Sequence, residues 1–251
     1  ELLSMICVPV FRKYNDLHMI ANPMSGSVPQ DADAFLATLA EPLDARFHVH
    51  TCEPETLADT VTSVARDNQV IAVWGGDGTI ACALSRSGEG TAILPLPGGT
   101  MNLLHKHVHG SDHAVETLLT AYCAGELSKH QIPTGTVNGQ AFYVGVICGH
   151  LAELARVREA LRDGKPLSAL ESLFTSNSFD LSSKLTARVA NSGAPAGDES
   201  SDIVALAAFL KSDQDRPLDV GMVNPDSLFE MTTTTLEALF EGWENAASID
   251  N

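Results

Sequence analysis

Apolar and polar positions change their period several times along this chain, and each change marks an element. "LHMIAN" (17–22) is a short apolar run that ends in the loop "PMSGS", after which Asp31–Leu39 has helical spacing. "FHVHTCE" (47–53) alternates with period two, and Glu55–Asp67 reads as a helix opened by acidic and polar residues. "VIAVW" (70–74) is continuously apolar and rich in β-branched residues, the pattern of a strand covered on both faces. "TAILPLP" (91–97) repeats it, and His113–Cys123 is a helix stopped by Gly125. Strand and helix alternating at this spacing predict an α/β domain over 1–127, built on a doubly wound parallel sheet.

Beyond Ser128 the texture changes. "HQIPTGTVNGQAFYVGVICG" (130–149) reads as two strand-like runs around Asn138-Gly139, a strong hairpin signal. A helix is expected over Leu151–Arg162, strands in "KLTARVA", "DIVALAAFL" and "PLDVGMV", and a helix again over Ser227–Asn245. The expectation is a second, mainly antiparallel β, sandwich-like domain over 128–251, incomplete at its C-terminus.

Composition narrows the function classes. A net charge of −17 disfavours sequence-independent binding to nucleic acid, whose phosphates reward basic surfaces. Five scattered cysteines without a CxxC pair fit reduced, buried thiols of a cytoplasmic protein better than a disulfide framework or a zinc site. No apolar run has the ~18 residues a spanning helix needs, so no transmembrane segment is expected. The chain begins with Glu1 rather than Met, which fits a piece of a longer protein.

Three glycine-bearing loops each follow an expected strand: "NPMSGS" (22–27), "GGDGT" (75–79) and "PGGTMN" (97–102). In a parallel sheet the loops at the carboxyl ends of strands line one crevice. Glycines there admit a ligand close to the backbone, and amides at a helix start suit an anion. Ser25, Thr79 and Thr100 add hydroxyls, and Asp77 can hold Mg²⁺ directly or through water. Three such loops point to a nucleotide triphosphate. Packing alone is expected to need at most one glycine in "GGDGT".

In that order, "NPMSG", "GGDGT" and "LPGGTMN" resemble the signature loops of the diacylglycerol kinase catalytic-domain family, which includes bacterial lipid kinases and sphingosine kinases. The likeness continues more weakly through Phe142–Gly164. It implies an ATP- and Mg²⁺-dependent lipid kinase that passes the γ-phosphoryl group to a lipid hydroxyl, of diacylglycerol type. Carried over, Asn22, Ser25 and Gly26 contact nucleotide, and Gly75, Gly76, Asp77, Gly78 and Thr79 form the phosphate loop. Gly99, Thr100 and Asn102 form a third wall, and Asp77 serves as catalytic residue and metal ligand. The resemblance also implies a cytoplasmic protein meeting its lipid substrate at a membrane surface, with the oligomeric state open.

Two departures accompany it. "IACAL" (80–84) lacks the Asn-Glu that often follows GGDGT, and no Asp-Gly-Glu tripeptide occurs to supply the family's late general base. Two other readings therefore stand: an NAD kinase-like small-molecule kinase, and a catalytically inactive nucleotide- or lipid-binding module. His105, His107, His109 and His113 are not expected to converge on a metal. Arg156, Arg158, Arg162 and Lys165 are read as surface ion-pair partners, and Phe240 and Trp243 as core.

Overall fold

The structure, a computed structural model, describes residues 15–88, 90–149, 185–187, 201–203, 205–210, 218–223 and 249–250. The chain divides into two compact units, Glu1–Ile132 with Thr136–Tyr143, and Pro133–Gly135 with Val144–Asn251. The helices expected at Leu151–Arg162 and Ser227–Asn245, and the basic and aromatic residues read on them, lie outside the described residues.

The first unit alternates as its sequence predicts. Strands β1 (Asp16–Ala21), β2 (Arg46–Thr51), β3 (Val70–Gly75) and β4 (Ala92–Pro97) are joined in sequence by α1 (Ala32–Leu43), α2 (Pro54–Asp67) and α3 (Asp77–Arg86). Helices α4 (Leu103–His109) and α5 (Val115–Ala124) follow. All pairings are parallel, in the order β2-β1-β3-β4. The chain steps outward from β1 to β2, then returns past β1 to build β3 and β4. The order reverses between β1 and β3, so their carboxyl ends flank the crevice where doubly wound sheets bind ligands.

Alternation along each strand separates two cores. Leu17, Met19 and Ala21 of β1, with Ala72 and Trp74 of β3, pack with Ala32 and Leu36 of α1 and Leu118 and Leu119 of α5. Ile20, Ile71 and Val73 point to the opposite face and are also fully buried, as are Val61 of α2 and Ile80 of α3. Each such Leu, Ile or Val contributes about 2 kcal/mol relative to its exposed state. That double burial is why β3 reads as an unbroken apolar run.

Helix α1 runs past its expected end at Leu39 to Leu43, with Pro42 inside its last turn. Proline has no N–H, but so near the end the helix forgoes little, and Asp44 (φ 49°) caps it by donating to the Ala40 and Glu41 carbonyls.

The hairpin forms as predicted. β5 (Gly135–Val137) and β6 (Gln140–Phe142) meet at Asn138 (φ 50°) and Gly139 (φ 77°), the left-handed pair a tight two-residue turn demands. The second strand-like run does not continue as one strand, because β7 (Gly145–Gly149) belongs to another sheet. Between them Tyr143 is buried, its hydroxyl 3.0 Å from the Ser85 hydroxyl of α3.

In the second unit β7 pairs antiparallel with β10 (Ala205–Leu210), which pairs with β11 (Leu218–Val223), and that strand with β12 (Ile249–Asp250). β8 (Leu185–Ala187) and β9 (Ser201–Ile203) form a separate antiparallel pair. Gly145 is fixed by packing, since a Cβ there would lie 2.5 Å from the Phe209 ring. The architecture is therefore an α/β unit with a parallel sheet, followed by antiparallel β structure.

Candidate active site

The three glycine-bearing loops meet at the carboxyl ends of β1, β3 and β4. The first leaves β1 at Asn22, whose N–H donates to the Trp74 carbonyl of β3 at 3.0 Å. Its side chain is buried and bonded at both ends: Nδ2 donates to Thr79 Oγ1 at 3.0 Å, and Oδ1 accepts the Met24 amide at 3.0 Å. Ser25 Oγ accepts the Gly76 amide at 3.2 Å, and the Ser27 amide donates to the Gly98 carbonyl at 3.0 Å. The first loop is thus hydrogen-bonded to both of the others.

The second and third loops interlock backbone to backbone. The Gly98 amide donates to the Gly75 carbonyl at 3.0 Å. A Cβ on Gly98 would lie 2.5 Å from Val28 Cγ2 and 2.7 Å from Gly75 Cα, and one on Gly99 would lie 2.7 Å from Gly76 Cα. At Gly75 it would meet the Thr79 side chain at 2.6 Å. Within "GGDGT" packing demands only Gly75, the one glycine the sequence reading allowed it, while in the third loop both Gly98 and Gly99 are required by close approach within the protein. Gly78 is different. It is exposed, and nothing lies within 4 Å of where its Cβ would be.

Asp77 occupies the first position of α3 and is half-buried. Its Oδ1 accepts the Leu104 amide at 2.7 Å, so the aspartate also holds the start of α4. Asn102, in the left-handed region at φ 52°, precedes α4, and its Oδ1 accepts the Gly99 amide at 2.8 Å. No side chain caps the N-terminus of α3, which leaves the positive end of that ten-residue helix facing the crevice.

The residues expected at the site are thus brought together in three layers of burial. Asn22, Thr79 and Gly75 lie buried beneath, with Asn22 and Thr79 spent on each other. Gly26, Gly78 and Thr100 are exposed, and Ser25, Gly76, Asp77, Gly99 and Asn102 lie between. A Cβ on Gly26 would be 3.6 Å from Thr100 Oγ1, so the outer loops also adjoin. Sequence reasoning missed Leu104, whose amide is a backbone partner and carries no side-chain signal.

The histidines after the third loop do other work. His105 Nδ1 lies 3.1 Å from the Pro95 carbonyl, and its Nε2 accepts the His113 amide at 3.1 Å, so both ring nitrogens are engaged within the fold. His109 Nε2 also bonds the Pro95 carbonyl, at 3.0 Å. A cavity of about 570 Å³ opens at the β4 edge, between Ile80, Leu84, Leu94 and the segment 125–132, but no residue of the three loops lines it. All four described cysteines are free, and burial pushes the Cys52 thiol up.

Residues 16–132, which contain all three loops, match the model of the diacylglycerol kinase catalytic domain. This segment resembles that family's catalytic domain. Among curated proteins, no sequence matches the chain. Among solved structures, a diacylglycerol kinase of Bacillus anthracis str. Sterne is similar at a TM-score of 0.59 and 16% identity, over 95% of this chain and 80% of that one. A provisionally assigned diacylglycerol kinase of the same strain reaches 0.62 at 17% identity, over 95% of this chain and 82% of that one. At such identities the likeness is one of fold, and it extends across both units.

Proposed function

We propose that the protein is an ATP- and Mg²⁺-dependent lipid kinase whose acceptor is a lipid hydroxyl of diacylglycerol type. The observation that carries this reading is the meeting of three loops at the β1–β3 switch point, around an uncapped helix start and one aspartate. The donor set fits a metal-nucleotide: open space at Gly78, backbone amides at the positive end of α3, and Asp77 Oδ2 beside an Oδ1 already bonded to Leu104. MgATP, when bound, supplies the phosphoryl group for transfer.

The protein's part is positioning and charge stabilisation, which dominate phosphoryl transfer. Amides at the start of α3 bind phosphate oxygens, and Gly78 keeps their approach clear. Asp77 directs its second oxygen to the metal, directly or through water, as a hard oxygen ligand. Thr100 offers an exposed hydroxyl on the facing loop, beside Gly26. Asn22 and Thr79 act beneath as positioning residues, and Ser25 and Asn102 hold the backbone of the neighbouring loops. The β-rich unit is assigned the lipid side.

A lipid acceptor also suits the surface beside the loops. Met24, 71% exposed at the tip of the first loop, and the exposed Leu103 at the start of α4 offer apolar contact to a membrane. Among the described residues no helix is long and apolar enough to cross one; peripheral association from the cytoplasm is part of the proposal.

The test is ATP consumption by the full chain with Mg²⁺, against diacylglycerol, sphingosine and phosphatidylglycerol in mixed micelles, with NAD as the soluble control. Turnover on one lipid that Asp77→Asn abolishes supports the assignment and names the acceptor. Turnover on NAD alone overturns it, and nucleotide binding without turnover on any acceptor makes the protein a binding module.

A further inference from the structure

At the opposite edge of the parallel sheet, four polar side chains share one face of β1 and β2. Parallel register sets His18 beside His48, with Asp16 and His50 two residues away along their own strands. Odd-numbered β1 residues fill the core on the α1 side, and Phe47 and Val49 of β2 pack against that core. The histidines therefore project to the other face, where they are only half-buried. Their rings form a row: His18 stacks on His48 at 4.5 Å between centroids and on His50 at 5.3 Å.

The contacts within this row suit metal ligation. Asp16 Oδ1 lies 2.7 Å from His48 Nε2, and His18 Nδ1 lies 3.0 Å from His50 Nε2. One ligand atom from each of Asp16, His18 and His48 falls within 4.8 Å of the other two. Zinc–nitrogen bonds of about 2.0–2.1 Å in a tetrahedron put neighbouring ligand atoms about 3.3 Å apart, so the three must draw together and the stacked His18 and His48 rings must tilt for their in-plane lone pairs to converge. Imidazole nitrogen with one carboxylate oxygen is a donor set for first-row transition metals rather than for Mg²⁺ or Ca²⁺.

We propose that Asp16, His18 and His48 form a binding site for a divalent first-row transition metal, with His50 bracing the His18 ring. The site is separate in the fold from Asp77, which follows β3. It ties the edge strand β2 to its neighbour β1, and so acts on the stability of the sheet.

The experiment is calorimetric titration of the full chain with zinc chloride, paired with thermal unfolding with and without zinc and with the absorption spectrum of the cobalt(II) form. The expected result is one saturable site whose occupancy raises the unfolding temperature, and which Asp16→Asn and His48→Gln both remove. Asp16 is largely exposed, so its variant keeps the fold. His50→Gln is expected to weaken binding roughly 10-fold or more, as loss of a supporting hydrogen bond does, and His109→Gln to leave it unchanged. Absence of saturable binding by the wild-type chain, or binding at full strength by both Asp16→Asn and His48→Gln, overturns the proposal.

Discussion

Asp77 Oδ1 accepts the Leu104 amide at 2.7 Å, so the acidic residue of "GGDGT" carries a structural bond as well as a charge. The two roles separate by substitution. Asn keeps an acceptor oxygen for the Leu104 N–H and loses the charge, whereas Ala loses both. In the proposed kinase, Asp77→Asn is expected to lower turnover by at least about 100-fold, the scale of removing one preorganised electrostatic group, with little change in unfolding temperature. Asp77→Ala is expected to lower turnover similarly and to destabilise by a further ~1 kcal/mol, as loss of a helix cap does. Denaturant unfolding beside a steady-state assay reads both effects. Equal stability of the two variants would argue against the Leu104 bond as a cap.

The buried bond from Asn22 to Thr79 makes a second, purely architectural prediction. Thr79→Val keeps the shape but strands the Asn22 amide, an unsatisfied donor that costs about 1–3 kcal/mol. Thr79→Ser keeps the hydroxyl and is expected to lose less. A double-mutant cycle with Asn22→Ala should give a coupling of about 1 kcal/mol, within the range for residues in direct contact. Additive effects would mean that the two side chains do not bear on each other.

Most of the first unit was legible because each element announced itself by period. β3 is apolar on both faces because helices cover both, and β2 alternates because it sits at the sheet edge. The meeting of the three loops at the strand ends was legible for the same topological reason. Other features depend on partners distant in sequence. Nothing near Gly98 in the chain says that Val28 lies over it, nor does "GGDGT" reveal that Gly75 is needed by Thr79. The end of α1 at Leu43 was missed because the capping bond of Asp44 is invisible in composition. The row of His18, His48 and His50 depends on strand register, which pattern alone does not give.

Acid should weaken the first unit through His105. This ring is fully buried, and burial holds it below its ordinary value of 6.5 against the opposing pull of the Pro95 carbonyl and Asp112. Geometry agrees: with Nδ1 facing that carbonyl, Nε2 must stay unprotonated to accept the His113 amide. His113 and Lys106, the other charged neighbours, also oppose a second proton. A folded value below the unfolded one means that the unfolded chain binds more protons between the two. Stability is therefore complete above about 6.5 and falls as pH drops through that window. His107 and His109, also lowered chiefly by burial, act in the same sense. Denaturant midpoints measured from about pH 7.5 to about pH 5 should fall, and His105→Leu should flatten the slope while lowering stability at pH 7. An unchanged slope in that variant would remove His105 from the account.

Glycines in the two interlocked loops should respond to alanine in opposite ways. Gly98→Ala brings a Cβ to 2.5 Å from Val28 Cγ2 and 2.7 Å from Gly75 Cα. The backbone atom cannot swing aside, so this change is expected to destabilise by about 1–3 kcal/mol, the range for overpacking. Gly78 lies inside α3 with open space around it, and alanine there is expected to raise stability by about 0.5 kcal/mol through helix propensity. The same methyl group would stand where the proposed phosphates approach the start of α3. ATP affinity, read by calorimetry in Mg²⁺, should therefore fall in the Gly78→Ala protein even as its unfolding temperature rises. A more stable variant that binds ATP as well as the wild type would place the nucleotide elsewhere.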